Sequence, residues 1–273
     1  MAVIPYDDWY AHEYDYLTKP GFRPISAFFL TSIASGNLQP PFQDSFAATY
    51  VKIVLQLKSH IVKAVYHKTK EEVEAIVADS KKTSHPLRCI SLYSYFPSDS
   101  GSIRRYAAIL IENTLGWATD WHWWFDAPYT VIKNEVNQVN YRLVHLSPTA
   151  HPNWESYGFD AIAVSNTGDN SRWWASNTNM TRPQVNQLLA DNQSHNPRIY
   201  QLSQNNHSTT NENIWTAILV EKGPNEAWYD PDKTFDELTS LAQQRHARIL
   251  DLVYNTELHD GNRAYSATML KCS

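Results

Sequence analysis

A strand-like pattern that opens with arginine recurs five times along this 273-residue chain, at spacings of 50 to 65 residues. The arginines are Arg23, Arg88, Arg142, Arg198 and Arg248. Each is followed, 19 to 25 residues later, by an alanine that stands two places after an aromatic residue and leads into apolar residues (Ala48, Ala108, Ala161, Ala217 and Ala267). The two patterns occur in the same order five times. This predicts a tandem-repeat protein, because repeated sequence units fold as repeated structural units.

Both patterns predict short β-strands, since they are rich in β-branched and aromatic residues. A tryptophan-bearing stretch follows the second strand and predicts a third. A helix is then expected to begin where threonine precedes Glu or Gln by three residues, as at Thr69, Thr181 and Thr234. Apolar residues at helical spacing follow these positions. The predicted unit is therefore helix, strand, strand and short aromatic strand.

These elements predict an α+β fold: a single repeat domain, residues 1–273, with one helix and three mainly antiparallel strands in each of five units. The approximate units are 7–68, 69–129, 130–180, 181–233, and 234–273 together with 2–6. The last unit lacks an aromatic stretch after its second strand, and Val3–Asp8 resembles Ala227–Asp232. The N-terminal strand is expected to complete that unit and close a pseudo-fivefold ring, which leaves no open sheet edge. An open half-barrel or solenoid array is the alternative.

The third residue after each arginine is polar in all five units: Ser26, Ser91, His145, Gln201 and Asp251. Positions two and four after the arginine are mostly apolar and are expected to face the helices, so the polar set should face the ring axis. Ser91, His145 and Asp251 include the residue types of a nucleophile, a base and an orienting acid. No GxSxG-type turn accompanies them. We therefore assign no catalytic residue and predict that the five line a ligand-binding or solvated axis.

The chain contains 10 Trp and 16 Tyr, while only 19% of its residues are charged. Flat aromatic faces beside Asn, Asp and His side chains suit neutral sugars, which combine apolar faces with hydroxyl groups. Most tryptophans recur at one position of the unit and are expected in the core. Trp121, Trp154 and Trp173 stand in less regular places and are predicted to bind ligand.

The remaining features exclude several classes of protein. A net charge of -5 argues against nucleic-acid binding, and no apolar stretch approaches the 20 or so residues of a membrane span. No close metal-ligand set or phosphate-binding loop occurs, so no metal or cofactor is expected. The N-terminus lacks a secretory pattern, which predicts a cytoplasmic protein unless a signal has been removed. Cys89 and Cys272 are expected to be buried thiols, with pairing between them and homo-oligomer formation left open.

The arginine-led strand, the aromatic-x-alanine strand and the tryptophan-bearing stretch before a helix resemble the bacterial tandem repeat domain, over about residues 7 to 272. Similar repeats form the amino-terminal region of fungal polyglycine hydrolases, where a serine-hydrolase domain of β-lactamase type follows them. The resemblance implies an accessory or recognition module. Because no SxxK-type nucleophile motif occurs in this chain, catalysis is not carried over.

Repeat scaffolds usually present binding surfaces, so the sequence favours a non-enzymatic, lectin-like protein that binds neutral carbohydrate. Two alternatives remain open. One is a hydrolase with a polar site at the ring axis, and the other is a protein-interaction or inhibitor scaffold.

Overall fold

The computed structural model describes residues 62–95, 103–114, 118–149, 158–168, 171–206, 213–223, 227–259 and 262–271. These stretches form four units, each with the element order strand, helix, strand, strand. Most of the first predicted repeat, 7–68, lies outside them, and so do Ser26 and Trp154.

Unit I contains β1 (Val62–Lys68), α1 (Lys70–Ser80), β2 (Leu87–Tyr95) and β3 (Arg105–Glu112). Unit II contains β4 (Trp121–Ala127), α2 (Tyr129–Gln138), β5 (Tyr141–Pro148) and β6 (Phe159–Ser165). Unit III contains β7 (Trp174–Met180), α3 (Arg182–Asp191), a 3-10 turn (Gln193–His195), β8 (Pro197–Asn206) and β9 (Asn213–Glu221). Unit IV contains β10 (Ala227–Lys233), α4 (Phe235–Gln244), β11 (Ala247–His259) and β12 (Asn262–Lys271). In chain order, we call the three strands of a unit its aromatic, arginine and central strands.

In every unit the central strand lies between the other two and pairs antiparallel with both. The predicted α+β repeats with antiparallel strands are thus confirmed for the described part of the chain. The order within the unit differs from the prediction. Each aromatic strand belongs to the sheet that follows it in sequence, so it precedes the helix of its own unit instead of ending the previous one.

This shift changes the argument for a closed ring. The aromatic strand of unit IV is β10, and it already pairs with β12. The last sheet therefore has its three strands without residues 2–6, which removes the reason for expecting an N-terminal strand to complete it. No closed sheet or ring is found among the residues that the structure describes.

A β-bulge in each arginine strand changes which residues face the helix. In β2, Cys89 lies opposite Leu110 and Ser91 lies opposite Ile109, so Ile90 is the extra residue. The other three arginine strands shift register at the same position. Alternation restarts after the bulge. Positions one and four after the arginine consequently face the helix. The prediction was therefore correct for position four and wrong for position two.

The buried core of unit I shows this arrangement, since Cys89 and Leu92 pack with Val73 and Val77 of α1. Equivalent clusters occur in units II and III, around Ile132 and Val185. Each helix therefore buries one apolar stripe against its own sheet, as its helical spacing predicted.

Each aromatic strand ends in a bulge that turns the chain into the next helix. The residue two places before the helix N-cap has a positive φ in all four units: His67 (55°), Asp126 (49°), Asn179 (54°) and Asp232 (48°). The left-handed conformation is tolerated best by Asn and Asp among non-glycine residues, which occupy three of the four positions.

The predicted capping boxes are present at all three positions, Thr69 with Glu72, Thr181 with Gln184 and Thr234 with Glu237. In α4, Thr234 N–H donates to Glu237 Oε2 at 2.7 Å, and Glu237 N–H donates to Thr234 Oγ1 at 3.3 Å. Helix α2 begins after Pro128 without a side-chain cap. Among the described helices, none is long and apolar enough to cross a membrane.

Replacement of Thr234 with alanine is expected to lower the free energy of unfolding by about 1 kcal/mol, because a first-turn N–H loses its acceptor. Urea unfolding measures the change. Thr234→Ser keeps the hydroxyl group and should stay within about 0.5 kcal/mol of the parent protein. Equal losses in the two variants would show that the hydroxyl group does not cap the helix.

Neighbouring units complete each other's cores. Ile162 of unit II is buried in the core cluster of unit I, and Ile218 of unit III is buried in that of unit II. The first helical residue of a unit also reaches the next aromatic strand. Examples are Lys70 Nζ, 5.2 Å from the Phe125 ring, and Tyr129, whose hydroxyl donates to Ser176 O at 2.7 Å. The units are therefore not independent domains, as expected for a repeat array.

Candidate functional site

The described members of the polar set lie on the arginine strands, and all three side chains that the structure describes are buried. Ser91, His145 and Gln201 are only 4%, 2% and 4% exposed. Asp251 occupies the equivalent place in β11, opposite Thr268, but its side chain is outside the description, as is Ser26. The prediction that the five residues line a ligand-binding or solvated axis therefore stays a prediction, with three of its members buried.

His145 joins unit II to unit I. Its Nε2 lies 2.5 Å from the carbonyl oxygen of Leu92, which can only accept, so Nε2 carries the proton. The imidazole also packs edge-on against Tyr93, with ring centroids 4.7 Å apart. Burial lowers the pKa of His145 to about 4, so the ring is neutral at pH 7. Because the neutral His145 donates to the main chain of β2, it holds β5 in position against β2.

Gln201 joins unit III to unit II in the same way. Its Oε1 accepts from Leu146 N–H at 3.0 Å, and the hydroxyl of Ser203 donates to Leu146 O at 2.9 Å. Leu92 and Leu146 both stand four residues after their arginines. One rule therefore describes both joints: the third residue after an arginine binds the main chain of the fourth residue after the previous arginine.

A buried carboxyl group, which the sequence did not single out, lies in the joint between units I and II. Asp160 of β6 is 0% exposed, and its Oδ1 accepts from Asp126 N–H at 3.0 Å. Burial raises the pKa of Asp160 to about 7, while Ser94, the Asp126 N–H and Arg104 lower it and the Asp126 carboxylate raises it. Its Oδ2 has no hydrogen-bond partner among the described residues.

Asp126 connects Asp160 to unit I. Its carboxylate pairs with Arg104 Nη1 at 2.7 Å and accepts from the Thr149 hydroxyl at 2.5 Å. Gly158 packs against it so closely that a Cβ there would lie 2.9 Å from the Asp126 main-chain carbon. In unit IV the equivalent Asp232 also pairs with an arginine of the preceding unit, Arg182. An aspartate in the left-handed conformation that pairs with an arginine of the preceding unit is thus a second type of contact between units.

Sequence reasoning missed this cluster because Asp160 occupies the middle position of the aromatic-x-alanine pattern, at which the pattern specifies no residue type. That position is buried in each described unit, as Ala107, Asp160, Thr216 and Ser266. The signal that could have revealed the cluster is that Asp160 is charged, whereas the equivalent residue of the other described units is Ala, Thr or Ser.

Trp121 lies at one end of an aromatic ridge formed by Trp121, Trp123 and Phe125, which alternate along β4 and pack against the core of unit I. Their rings meet edge-to-face, with centroids 5.0 Å apart for Trp121 and Trp123 and 4.9 Å apart for Trp123 and Phe125. All three remain half-buried. Trp124, on the opposite face, is buried and donates from Nε1 to Glu135 Oε2 at 2.7 Å.

Trp173 precedes β7 and is also half-buried. It stacks on His195, with ring centroids 4.4 Å apart and an angle of 7° between the planes. The predicted ligand-binding tryptophans that the structure describes thus occupy two separate places, the ridge of unit II and the 3-10 turn of unit III.

No group of three or more His, Cys, Asp or Glu residues in the described stretches is arranged to hold a metal ion. Cys89 is buried, as predicted, and its thiol donates to Ser91 O at 3.1 Å. Burial raises the pKa of this thiol. Cys272 lies outside the described residues, so the pairing of the two cysteines stays open.

No family model, curated protein or solved structure matches this chain. The resemblance to the bacterial tandem repeat domain therefore stays a prediction based on the short repeated motifs.

Proposed function

We propose that this protein is a non-enzymatic recognition protein that binds neutral carbohydrate, with the aromatic ridge of unit II as its principal contact. The observation that carries the proposal is the partial exposure of Trp121, Trp123 and Phe125. Trp124 and Trp215, by contrast, are only 8% and 3% exposed. An aromatic surface kept partly in solvent is suited to stacking against the apolar face of a sugar ring.

A polar group next to the ridge in sequence can supply a hydrogen bond to a sugar hydroxyl. Asp120 immediately precedes Trp121 and is exposed, whereas His122 packs against Trp124 on the opposite face of β4. Thr119, two residues before Trp121, is held by Asn113, whose side chain donates to Thr119 O and accepts from Thr119 N–H, both at 3.0 Å. A fixed arrangement reduces the entropy lost on binding.

The polar set of the arginine strands offers less support for the hydrolase alternative. His145 donates its Nε2 proton to the Leu92 carbonyl and is nearly fully buried, so this nitrogen is not positioned to accept a proton from a nucleophile. The resemblance to the bacterial tandem repeat domain also implies recognition and not catalysis.

Glycan-array screening followed by calorimetry on the best ligand tests the proposal. We expect Trp121→Ala to weaken binding about ten-fold, because loss of one stacked ring removes about 1 kcal/mol or more. Trp215→Phe is the matched control, since Trp215 is buried and should leave affinity unchanged. Trp173→Ala tests whether the second tryptophan contributes to the same site.

Failure of the folded protein to bind any glycan would contradict the proposal. A single stoichiometric protein partner recovered by pull-down, and insensitive to free sugars, would instead favour the interaction scaffold. Equal losses in Trp121→Ala and Trp215→Phe would indicate a general effect of destabilisation and not a ligand contact.

A further inference from the structure

The aromatic ridge is bent, and the bend limits which ligands can lie along it. The plane of the Trp121 ring makes an angle of 77° with that of Trp123, and the Trp123 plane makes an angle of 61° with that of Phe125. Neighbouring rings are nevertheless close, with centroids 5.0 Å and 4.9 Å apart. The three rings therefore form a continuous apolar surface that has no common plane.

Contacts within the protein hold this bend. The three residues alternate along β4, so their side chains leave the same face of the strand. On that face they pack against the core of unit I, together with Ile76 of α1. Edge-to-face contact is a favoured arrangement of aromatic pairs, and each ring restricts the rotation of its neighbour. The angles are consequently set before any ligand binds.

The Phe125 end of the ridge is occupied by the protein itself. Lys70 Nζ lies 5.2 Å from the centroid of the Phe125 ring, within the range of a cation–π interaction. Tyr106 meets the same ring edge-to-face, with centroids 5.2 Å apart and an angle of 84° between the planes. Trp121 and Trp123 are therefore left as the two stacking positions for a ligand.

The Trp121 end adjoins a polar group. Asp120 is exposed, and its carboxylate can accept hydrogen bonds from sugar hydroxyls. One sugar ring covers one aromatic ring, so the second tryptophan contributes when a second sugar is covalently joined to the first. Two adjacent stacking positions thus favour an oligosaccharide over a single sugar.

The angle between the two tryptophan rings discriminates between glycan shapes. A sugar stacks by placing its apolar face parallel to an aromatic ring. In a β-1,4-linked glucose chain the sugar rings are nearly parallel and form a flat ribbon, whereas each linkage of an α-1,4-linked chain turns the next ring out of that plane. A flat ribbon can lie against Trp121 or Trp123 but not against both, since their planes are 77° apart. A chain that turns at each linkage can contact both.

We propose that the ligand of the aromatic ridge is a neutral oligosaccharide whose linkages turn successive sugar rings out of one plane, as in α-1,4-linked glucose. Trp121 and Trp123 contact two consecutive sugars of this chain. The proposal rests on the carbohydrate-binding function proposed above and adds the shape of the ligand. Flat, ribbon-like glycans are poor ligands for the same geometric reason.

Calorimetry with maltotetraose and cellotetraose tests the proposal, because the two have the same glucose units and differ only in linkage. We expect maltotetraose to bind about ten-fold more tightly or better, since cellotetraose can engage only one of the two rings. Maltose should likewise bind about ten-fold more tightly than glucose, because its second sugar reaches the second ring.

Trp121→Ala leaves one stacking ring, so it should bind maltotetraose no more tightly than cellotetraose. Trp215→Phe is the matched control, since Trp215 is buried away from solvent, and it should keep the preference of the parent protein. Should Trp121→Ala fail to fold, Trp121→Leu replaces it, because leucine keeps an apolar side chain against Trp123 and cannot stack.

Equal affinities of the parent protein for the two tetrasaccharides, or tighter binding of cellotetraose, would overturn the proposal and leave the carbohydrate-binding function in place. Equal affinities for glucose and maltose would do the same, as would a preference for maltotetraose that survives in Trp121→Ala. Binding of neither tetrasaccharide would also overturn it. Failure to bind any glycan on an array would remove the carbohydrate-binding function as well.

Discussion

Asp160→Asn is expected to stabilise the protein at pH 8 and to change the direction in which its stability depends on pH. Asparagine keeps an oxygen that can accept from Asp126 N–H but cannot ionise. The ordinary pKa of this carboxyl group is 3.8, and burial raises it to about 7 in the folded protein. Between these values the folded state binds a proton that the unfolded state has released.

The sign follows from proton linkage, because stability falls with rising pH wherever the folded state binds more protons. The contribution of Asp160 is fully present below about pH 3.8 and is lost as the pH rises through about 7. The difference between these pKa values corresponds to roughly 4 kcal/mol as an upper limit. We therefore expect Asp160→Asn to gain at least about 2 kcal/mol over the parent at pH 8 and little at pH 4.

His145 lies in the same joint and acts in the opposite direction. Its pKa falls from 6.5 to about 4 on burial, so its contribution is present above pH 6.5 and is lost as the pH falls through about 4. The two buried groups therefore partly cancel in the parent protein. Asp160→Asn should expose the His145 contribution, so that the variant becomes more stable from pH 4 to 6.5.

His145→Gln is the matched variant, because glutamine occupies the equivalent position in unit III as Gln201. It should leave the Asp160 contribution alone, so that stability falls as the pH rises from 4 to 7. Urea unfolding across pH 4 to 8 measures both profiles. If Asp160→Asn and the parent protein have parallel profiles, the carboxyl group is not protonated by burial.

Ile162→Ala is expected to lower the free energy of unfolding by about 3 kcal/mol, since it leaves a cavity in a fully buried place. Although Ile162 belongs to β6 of unit II, its side chain lies in the core cluster of unit I. The substitution should therefore destabilise unit I as well as unit II. Amide hydrogen exchange in α1, around Val73 and Val77, should accelerate more than exchange in α2.

Leu143→Ala provides the comparison, because Leu143 is equally buried but lies in the core of its own unit. It should cost a similar free energy while accelerating exchange mainly in α2. Val131→Ala, at a side chain 42% exposed on α2, should change stability by less than about 0.5 kcal/mol. Unchanged exchange in α1 of Ile162→Ala would disprove that adjacent units share their cores.

The features predicted correctly from sequence depend on neighbouring residues in the chain. The capping boxes at Thr69, Thr181 and Thr234 formed because hydroxyl and N3 side chain are three residues apart in any helix. The apolar stripe containing Val73 and Val77 followed from helical spacing in the same way. The arginine and aromatic-x-alanine patterns located strands because strand propensity and repetition are both readable locally.

The candidate site was only partly predictable. The sequence identified Ser91, His145 and Gln201 as a set, and the structure buries all three and places His145 and Gln201 at contacts between arginine strands. It could not give their partners, since Leu92 O and Leu146 N–H are main-chain groups 53 and 55 residues away. The register was also hidden, because a bulge at Ile90 reverses the alternation and no residue type marks it.

By itself, then, the sequence determined that the chain repeats, where the arginine and aromatic-x-alanine strands lie, where three helices begin, and which arginine and polar residues every unit shares. Only the tertiary structure decided which sheet each aromatic strand joins and that Asp160 is buried beside Asp126. The physical reason is that helix caps and strand propensities depend on near neighbours in the chain. Sheet pairing and the burial of a carboxyl group depend on segments that meet only after the units have packed together.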